Sequence, residues 1–383
     1  MKGRQTLRVT LLSYLVIVTN ENDIRSIKKG ENTSHIFSYQ QDDKTVRMED
    51  GDVYDCIDMD LQPTFNHPLL KDHKMQMEPS SFPVGLDIKP RLQHTFSQVQ
   101  PSIVDCPIGT VPILQNIRRN QIPAHNIEEV ISEGTQQEMA GIRYLRDDVY
   151  GTRATISIHE PRVKKNNKDN SASWIQINRG PNVGLADGIG AGSAVSLSSS
   201  GDTFARFHVG WQLGALNQTC EDHKCPGFVQ VNHNVGLGGR IRPVSIYNGP
   251  QYVINVLIFK DPKTKNWWVA YGENNTPIGY WPSSLFTYLE DRGDCAYWGG
   301  YVQGPTASSD SPQMGSGHFA SDGYKKAAFV KNIQIVDEKN KLVTPNNNKA
   351  NPGSSVLSKY TSDGYGVDNH GLHVYYGGPG DLV

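Results

Sequence analysis

From Tyr150 onward apolar residues return at every second position, and that alternation constrains this chain more than any other feature. Ala154, Ile156 and Ile158 fall on one side of an extended segment, with Arg153, Thr155 and Ser157 on the other. Successive strand side chains point to opposite faces, so such a segment buries one face and leaves the other polar. Ile175 and Ile177 alternate with Trp174, Gln176 and Asn178 in the next segment, and further runs occupy 228–232, 252–259, 267–271, 328–336 and 373–376. Among 383 residues there are 37 glycines and 22 prolines. Glycine-rich stretches at 188–192, 236–239 and 377–380 read as tight connections between strands. Many strands with few helical windows predict an all-β chain folded as an antiparallel β-sandwich, a closed barrel being the structural alternative. No internal repeat of fixed period is present.

Ahead of this region the chain changes character. Lys2, Arg4 and Arg8 precede an apolar run at 9–18, the order of a secretory signal and too short to span a bilayer. Residues 1–20 are therefore read as that signal, with a buried strand as the other reading because 19–21 lacks a small-x-small cleavage site. Residues 21–130 form a polar leader broken by Pro63, Pro68, Pro79, Pro83 and Pro90, loosely structured except for a kernel at 53–61 and 106–114. A Glu- and Gln-rich stretch, 126–138, predicts a short surface helix, and the sandwich domain is placed at 131–383.

Basic residues (37) and acidic residues (39) nearly cancel, so no overall field draws the protein to nucleic acid or an anionic membrane. Sequons at Asn32, Asn217 and Asn274 accord with secretion. The five cysteines suit one disulfide between Cys56 and Cys106, a second between Cys220 and Cys225, and a free thiol at Cys295. Cys220 and Cys225 have no second pair at zinc spacing, and His370 and His373 fall on opposite faces if extended, so neither metal nor cofactor is expected.

Two segments carry the candidate site. In 204–212, Ala205, Phe207, Val209 and Trp211 share the core face, leaving Arg206, His208, Gly210 and Gln212 on the other. In 296–302, Ala296, Trp298, Gly300 and Val302 face the core, opposite Tyr297, Gly299 and Tyr301. A polar, aromatic face with glycines at intervals suits an extended peptide, because glycine lets a substrate backbone come close. Arg206, His208, Gln212, Tyr297 and Tyr301 are the predicted groove residues. Gly-x-Gly runs at 188–192 lack the elements of a dinucleotide fold. Ser316 between two glycines reads as a turn, and Trp267, Trp268 and Trp281 read as core, with a sugar-stacking role as the alternative.

At this point the chain resembles the neprosin family of plant secreted glutamic peptidases, which cleave at proline. The resemblance spans nearly all of 150–380. It is carried by Tyr150-Gly151, Ala154-Thr155-Ile156-Ser157, Glu160-Pro161, Gly210-Trp211-Gln212, Gly227-Phe228-Val229-Gln230, Lys260-Asp261-Pro262 and Trp267-Trp268. Gly279-Tyr280-Trp281-Pro282, Gln313-Met314-Gly315-Ser316-Gly317-His318-Phe319 and Tyr375-Tyr376-Gly377-Gly378-Pro379-Gly380 complete it. The leader resembles the family's activation domain through Tyr54-Asp55-Cys56-Ile57, His67-Pro68-Leu69-Leu70 and Cys106-Pro107-Ile108-Gly109-Thr110-Val111-Pro112.

The resemblance implies a sandwich of two sheets of roughly seven strands, preceded by a removable inhibitory segment. It also implies two glutamates facing across the groove, one shortly before Gly-Trp-Gln and one directly after Trp-Gly-Gly. Those positions hold His208 and Tyr301. One carboxylate must take a proton from water while the other donates one, and an imidazole with a phenol does not reproduce that pair. Glu160, Glu221, Glu273 and Glu290 sit beside turn signals, where a solvated charge is the default. The expectation is thus a secreted protein whose groove binds extended proline-containing peptides, and its own pro-segment, but hydrolyses poorly. The alternatives are an active prolyl endopeptidase using other acid and base groups, or a lectin-like wall module.

Overall fold

The computed structural model of the protein describes residues 44–86, 96–100, 102–115, 136–164, 168–181, 185–368 and 371–382. The expected signal, Asn32, His370 and the leader boundary near 130 lie outside the described residues.

Two large sheets dominate. The first runs in the order Gln218–Glu221, Arg206–Leu213, Asp187–Val195, Asn170–Arg179, Gly293–Gly304, Gln136–Val149 and Ala350–Ser354. All of its neighbours are antiparallel. The second has ten strands, centred on Tyr252–Lys260, Gly151–Ser157 and Ala328–Val336. The inner faces bury Ile156, Ile175, Phe207, Val209, Trp267, Trp281 and Trp298, each with no exposed surface. Burying a large apolar side chain is worth about 1.5–3 kcal/mol, and this shared core is what an alternating pattern on both sheets buys. Trp267, Trp268 and Trp281 are wholly enclosed, so none of them offers a sugar-stacking surface.

Two local expectations need correcting. Residues 188–192 are not a connection but the middle of Asp187–Val195. Glycine is required there by what lies above: a Cβ on Gly190 would stand 2.1 Å from Trp174 Nε1, and one on Gly192 would stand 2.9 Å from its Cε3. The stretch 126–138 is not a helix where it is described, because 136–138 begin the strand Gln136–Val149. That strand is paired on both sides, by Gly293–Gly304 and Ala350–Ser354, and such pairing overrides local helix preference.

Far from lying loose, the leader is fastened to the sandwich. Val53–Asp58 pairs with Thr110–Leu114, and the Cys56–Cys106 disulfide links the two stretches with a Cα–Cα distance of 5.5 Å. Ser97–Gln98 adds a parallel strand beside Tyr252 and Val253, which with Leu342–Val343 brings the second sheet from eight strands to ten. Asp261 accepts hydrogen bonds from Ser80 N–H at 2.5 Å, Ser80 Oγ–H at 2.6 Å and Gln76 Nε2–H at 2.9 Å. The polar composition that reads as looseness is spent on hydrogen bonds to the body. Among the described residues no helix is long and apolar enough to cross a membrane.

Candidate active site

The site lies on the outer face of the first sheet. Its rows follow from register. His208 stands opposite Gly192, which is opposite Trp174, which is opposite Gly299. Arg206 leads in the same way through Ala194 and Ala172 to Tyr301. The small residues between the ends of these rows make room for one large one. The Trp174 indole lies over Gly190, Gly192 and Gly210 and meets the Tyr301 ring edge-on at 6.1 Å.

The edge strand Gln218–Glu221 adds what the two central strands lack. Glu221 pairs with Gly210, so its side chain shares the face of His208 and its Oε1 reaches His208 Nδ1 at 2.5 Å. Immediately after it the backbone turns left-handed at Asp222, with φ of 51°, a conformation that aspartate tolerates better than most residues. That turn brings Asp222 back along the strand. Its N–H donates to Val209 O at 2.9 Å, its Oδ1 accepts Val209 N–H at 3.0 Å, and its Oδ2 lies 2.7 Å from His208 Nδ1. The Cys220–Cys225 disulfide closes the loop. Lys224 Nζ holds the other Glu221 oxygen at 2.6 Å.

Electrostatics follow from this crowding. Burial alone would lower the His208 pKa, but the charges of Glu221 and Asp222 and their hydrogen bonds outweigh it and raise it to about 9. Burial would raise Glu221, yet His208 and Lys224 hold it well below the ordinary carboxylate range. The ring is therefore an imidazolium at neutral pH, flanked by anions. Tyr301 is raised by burial and then by the Glu221 charge, so its phenol stays protonated and within electrostatic reach of Glu221.

The remaining predicted residues take separate places. Arg206 is buried, held by Asp202 and by Asp52 of the leader. The Tyr297 hydroxyl donates to main chain, with Ala140 O at 3.0 Å and Gly300 O at 2.6 Å. Gln212 lies in the row of Gly188 and Thr219. Glu160 accepts Ala205 N–H and faces Arg240, away from His208. Sequence reasoning set Glu221 aside as a solvated charge and missed Asp222. Their signal is the short Cys220–Cys225 loop, which marks a turn after an edge strand and so fixes the parity of Glu221.

The donor atoms of His208, Glu221 and Asp222 lie within 4.8 Å of one another, the one group of this kind among the described residues. A cation there would have to displace the Nδ1 proton and the Lys224 ammonium, since metal ligands must be deprotonated.

Fold and site together define a β-sandwich protein with an attached leader and a buried imidazolium–dicarboxylate cluster on one outer face. The chain belongs to the neprosin family: residues 167–379 match Neprosin and residues 45–155 match the Neprosin activation peptide. The second match runs through Gln136–Val149 and ends within Gly151–Ser157, which are strands of the two large sheets. Among solved structures the chain is similar to scytalido-glutamic peptidase with a transition-state analog inhibitor, at 9% identity over 63% of this chain and 98% of that one, TM-score 0.34. It is also similar to the CBM40 of Ruminococcus gnavus IT-sialidase bound to alpha2,6 sialyllactose, at 13% identity over 45% of this chain and 91% of that one, TM-score 0.22. Scores of this size carry nothing about chemistry.

The expectation of impaired hydrolysis does not hold. The face that carries His208 also carries two carboxylates, Glu221 at 2.5 Å and Asp222 at 2.7 Å from His208 Nδ1. Reading Glu221 as a solvated surface charge fails because its strand pairs beside His208 and its side chain is only 32% exposed.

Proposed function

We propose that the chain is the precursor of a secreted hydrolase of extended, proline-containing peptides, with His208, Glu221 and Asp222 as its acid–base centre and Tyr301 facing it. The observation that carries this reading is the 2.5 Å contact between Glu221 and His208 Nδ1. In this scheme Glu221 takes a proton from water as its oxygen bonds to the scissile carbonyl carbon. Tyr301 donates a hydrogen bond to the carbonyl oxygen as it becomes negative. His208, whose Nδ1–H is shared by the carboxylates, gives its Nε2 proton to the leaving nitrogen as the C–N bond breaks. One proton gained by Glu221 and one lost from His208 Nε2 neutralise the pair, and release of the Glu221 proton to solvent with uptake of a solvent proton at Nε2 restores it. Asp222 orients the ring.

The leader, residues 21–130, is the removable segment in this reading, and 131–383 the mature sandwich. The match to an activation peptide, the two disulfides and the exposed sequon residues Asn217 and Asn274 support secretion. The test is to process the full-length protein at the leader boundary, incubate it with a proline-rich polypeptide between pH 3 and 10, and map the termini by mass spectrometry. Cuts at proline, absent from a His208→Gln preparation of equal fold, are expected. Intact polypeptide at every pH sinks the proposal.

A further inference from the structure

On the same outer face, two residues before His208, stands a second charged group that the acid–base scheme does not use. Arg206 has a side chain only 2% exposed. Its Nη1–H and Nη2–H donate to the two oxygens of leader residue Asp52 at 2.7 and 3.0 Å, a bidentate grip. The rest of the guanidinium is fixed by the body: Nη2–H and Nε–H donate to Asp202 at 2.5 and 3.1 Å, and Nη1–H also donates to Gly238 O at 2.7 Å. Leader residue Asp50 lies on Arg242 Nη2 at 3.1 Å. The tight turn between the leader strands Thr45–Arg47 and Val53–Asp58, closed by Gly51 N–H on Met48 O and Met48 N–H on Asp52 O, thus places two carboxylates on two arginines of the sandwich.

We infer that Arg206 is a carboxylate subsite of the groove, occupied here by Asp52, and that peptides bound by the processed protein present an aspartate or glutamate side chain to it. This rests on the peptide-hydrolase reading and adds to it a substrate class. Asp202 and Gly238 hold the guanidinium in place without the leader, while departure of Asp52 leaves one planar, bidentate edge without its acceptor. A buried charge of that kind is strongly disfavoured until another carboxylate replaces the first. Arg206 and His208 share a strand face at a spacing of about 7 Å, so an acidic side chain seated on Arg206 lies within a residue or two of the bond presented to His208.

Two arms test this. In the first, the full-length chain carrying Asp52→Ala, or Asp52→Asn should that variant not fold, is melted in sodium acetate and in sodium chloride of equal ionic strength. Acetate is expected to raise the midpoint several degrees above chloride for this variant. The wild type and the variant further changed at Arg206→Met should show no such excess. Equal midpoints in the two salts overturn the subsite. In the second, the processed chain is offered end-blocked peptide pairs differing only by Asp against Asn near proline, and a pair ending in a free or amidated carboxyl group. At least a tenfold preference in kcat/KM for internal Asp, abolished by Arg206→Met, is expected. Equal cleavage of Asp and Asn peptides, or preference only for a free terminus, overturns the side-chain assignment. Cleavage of none removes the hydrolase reading while the acetate arm still decides the subsite.

Discussion

Glu221 Oε1 and His208 Nδ1 meet at 2.5 Å although they belong to different strands, one at the edge of the sheet and one beside it. Because Asp222 shares the same ring nitrogen at 2.7 Å, the imidazole is gripped from two directions and kept charged. His208 therefore stands as a proton donor where an isolated histidine of ordinary pKa would be largely neutral at pH 7.

Activity should fall on the alkaline side as His208 loses its proton, with the limb near pH 9. Removing one flanking charge with Asp222→Asn should move that limb down by about one pH unit. Profiles of kcat/KM against pH for the two proteins check this, and an unmoved limb assigns it to another group.

Stability should carry the same signature. The folded pKa of His208 lies above its ordinary value of 6.5, so the folded state binds the extra proton between pH 6.5 and about 9. Stability from this ring is complete below that window and lost as pH rises through it. The span corresponds to roughly 3 kcal/mol at most. Urea titrations of the full-length chain across the window should show the decline in wild type and a flatter curve in His208→Gln.

The Cys220–Cys225 bridge should matter more for activity than for stability. Closing so short a loop is worth about 2 kcal/mol by chain entropy, whereas the turn it pins carries both carboxylates. Replacing both cysteines by alanine is expected to lower the melting midpoint modestly and kcat/KM by at least tenfold. Proportionate small losses in both would deny the loop a positioning role.

Gly190→Ala tests the packing of the outer face. The new methyl would meet Trp174 Nε1 at 2.1 Å and Ile175 O at 2.8 Å, and overpacking of this kind costs about 1–3 kcal/mol. Tryptophan fluorescence should shift as the indole is displaced. An unchanged spectrum and midpoint would mean that the ring does not lie over this glycine.

Much of the architecture is legible in the sequence because burial of one strand face writes itself as a period of two: Ile175, Ile177, Phe207 and Val209 announce the core without help. Gly190 and Gly192 mislead for the same reason that glycine is informative. The residue marks a close approach, and only the fold shows that an indole rather than a turn makes the approach. The site was half legible. His208, Arg206 and Tyr301 follow from parity, but Glu221 and Asp222 act through a cross-strand pairing and a left-handed turn, neither of which is written in the spacing along one strand. Asp52 is further removed, 154 positions from the arginine it holds.

The most direct measurement is kcat/KM of the processed protein carrying Glu221→Gln, on a proline-containing peptide near neutral pH, with folding verified by an unchanged melting curve. A loss of about a hundredfold or more is predicted, the usual worth of a positioned general base. Turnover at the wild-type rate would show that water is activated elsewhere, and the His208–Glu221–Asp222 cluster would then be structural.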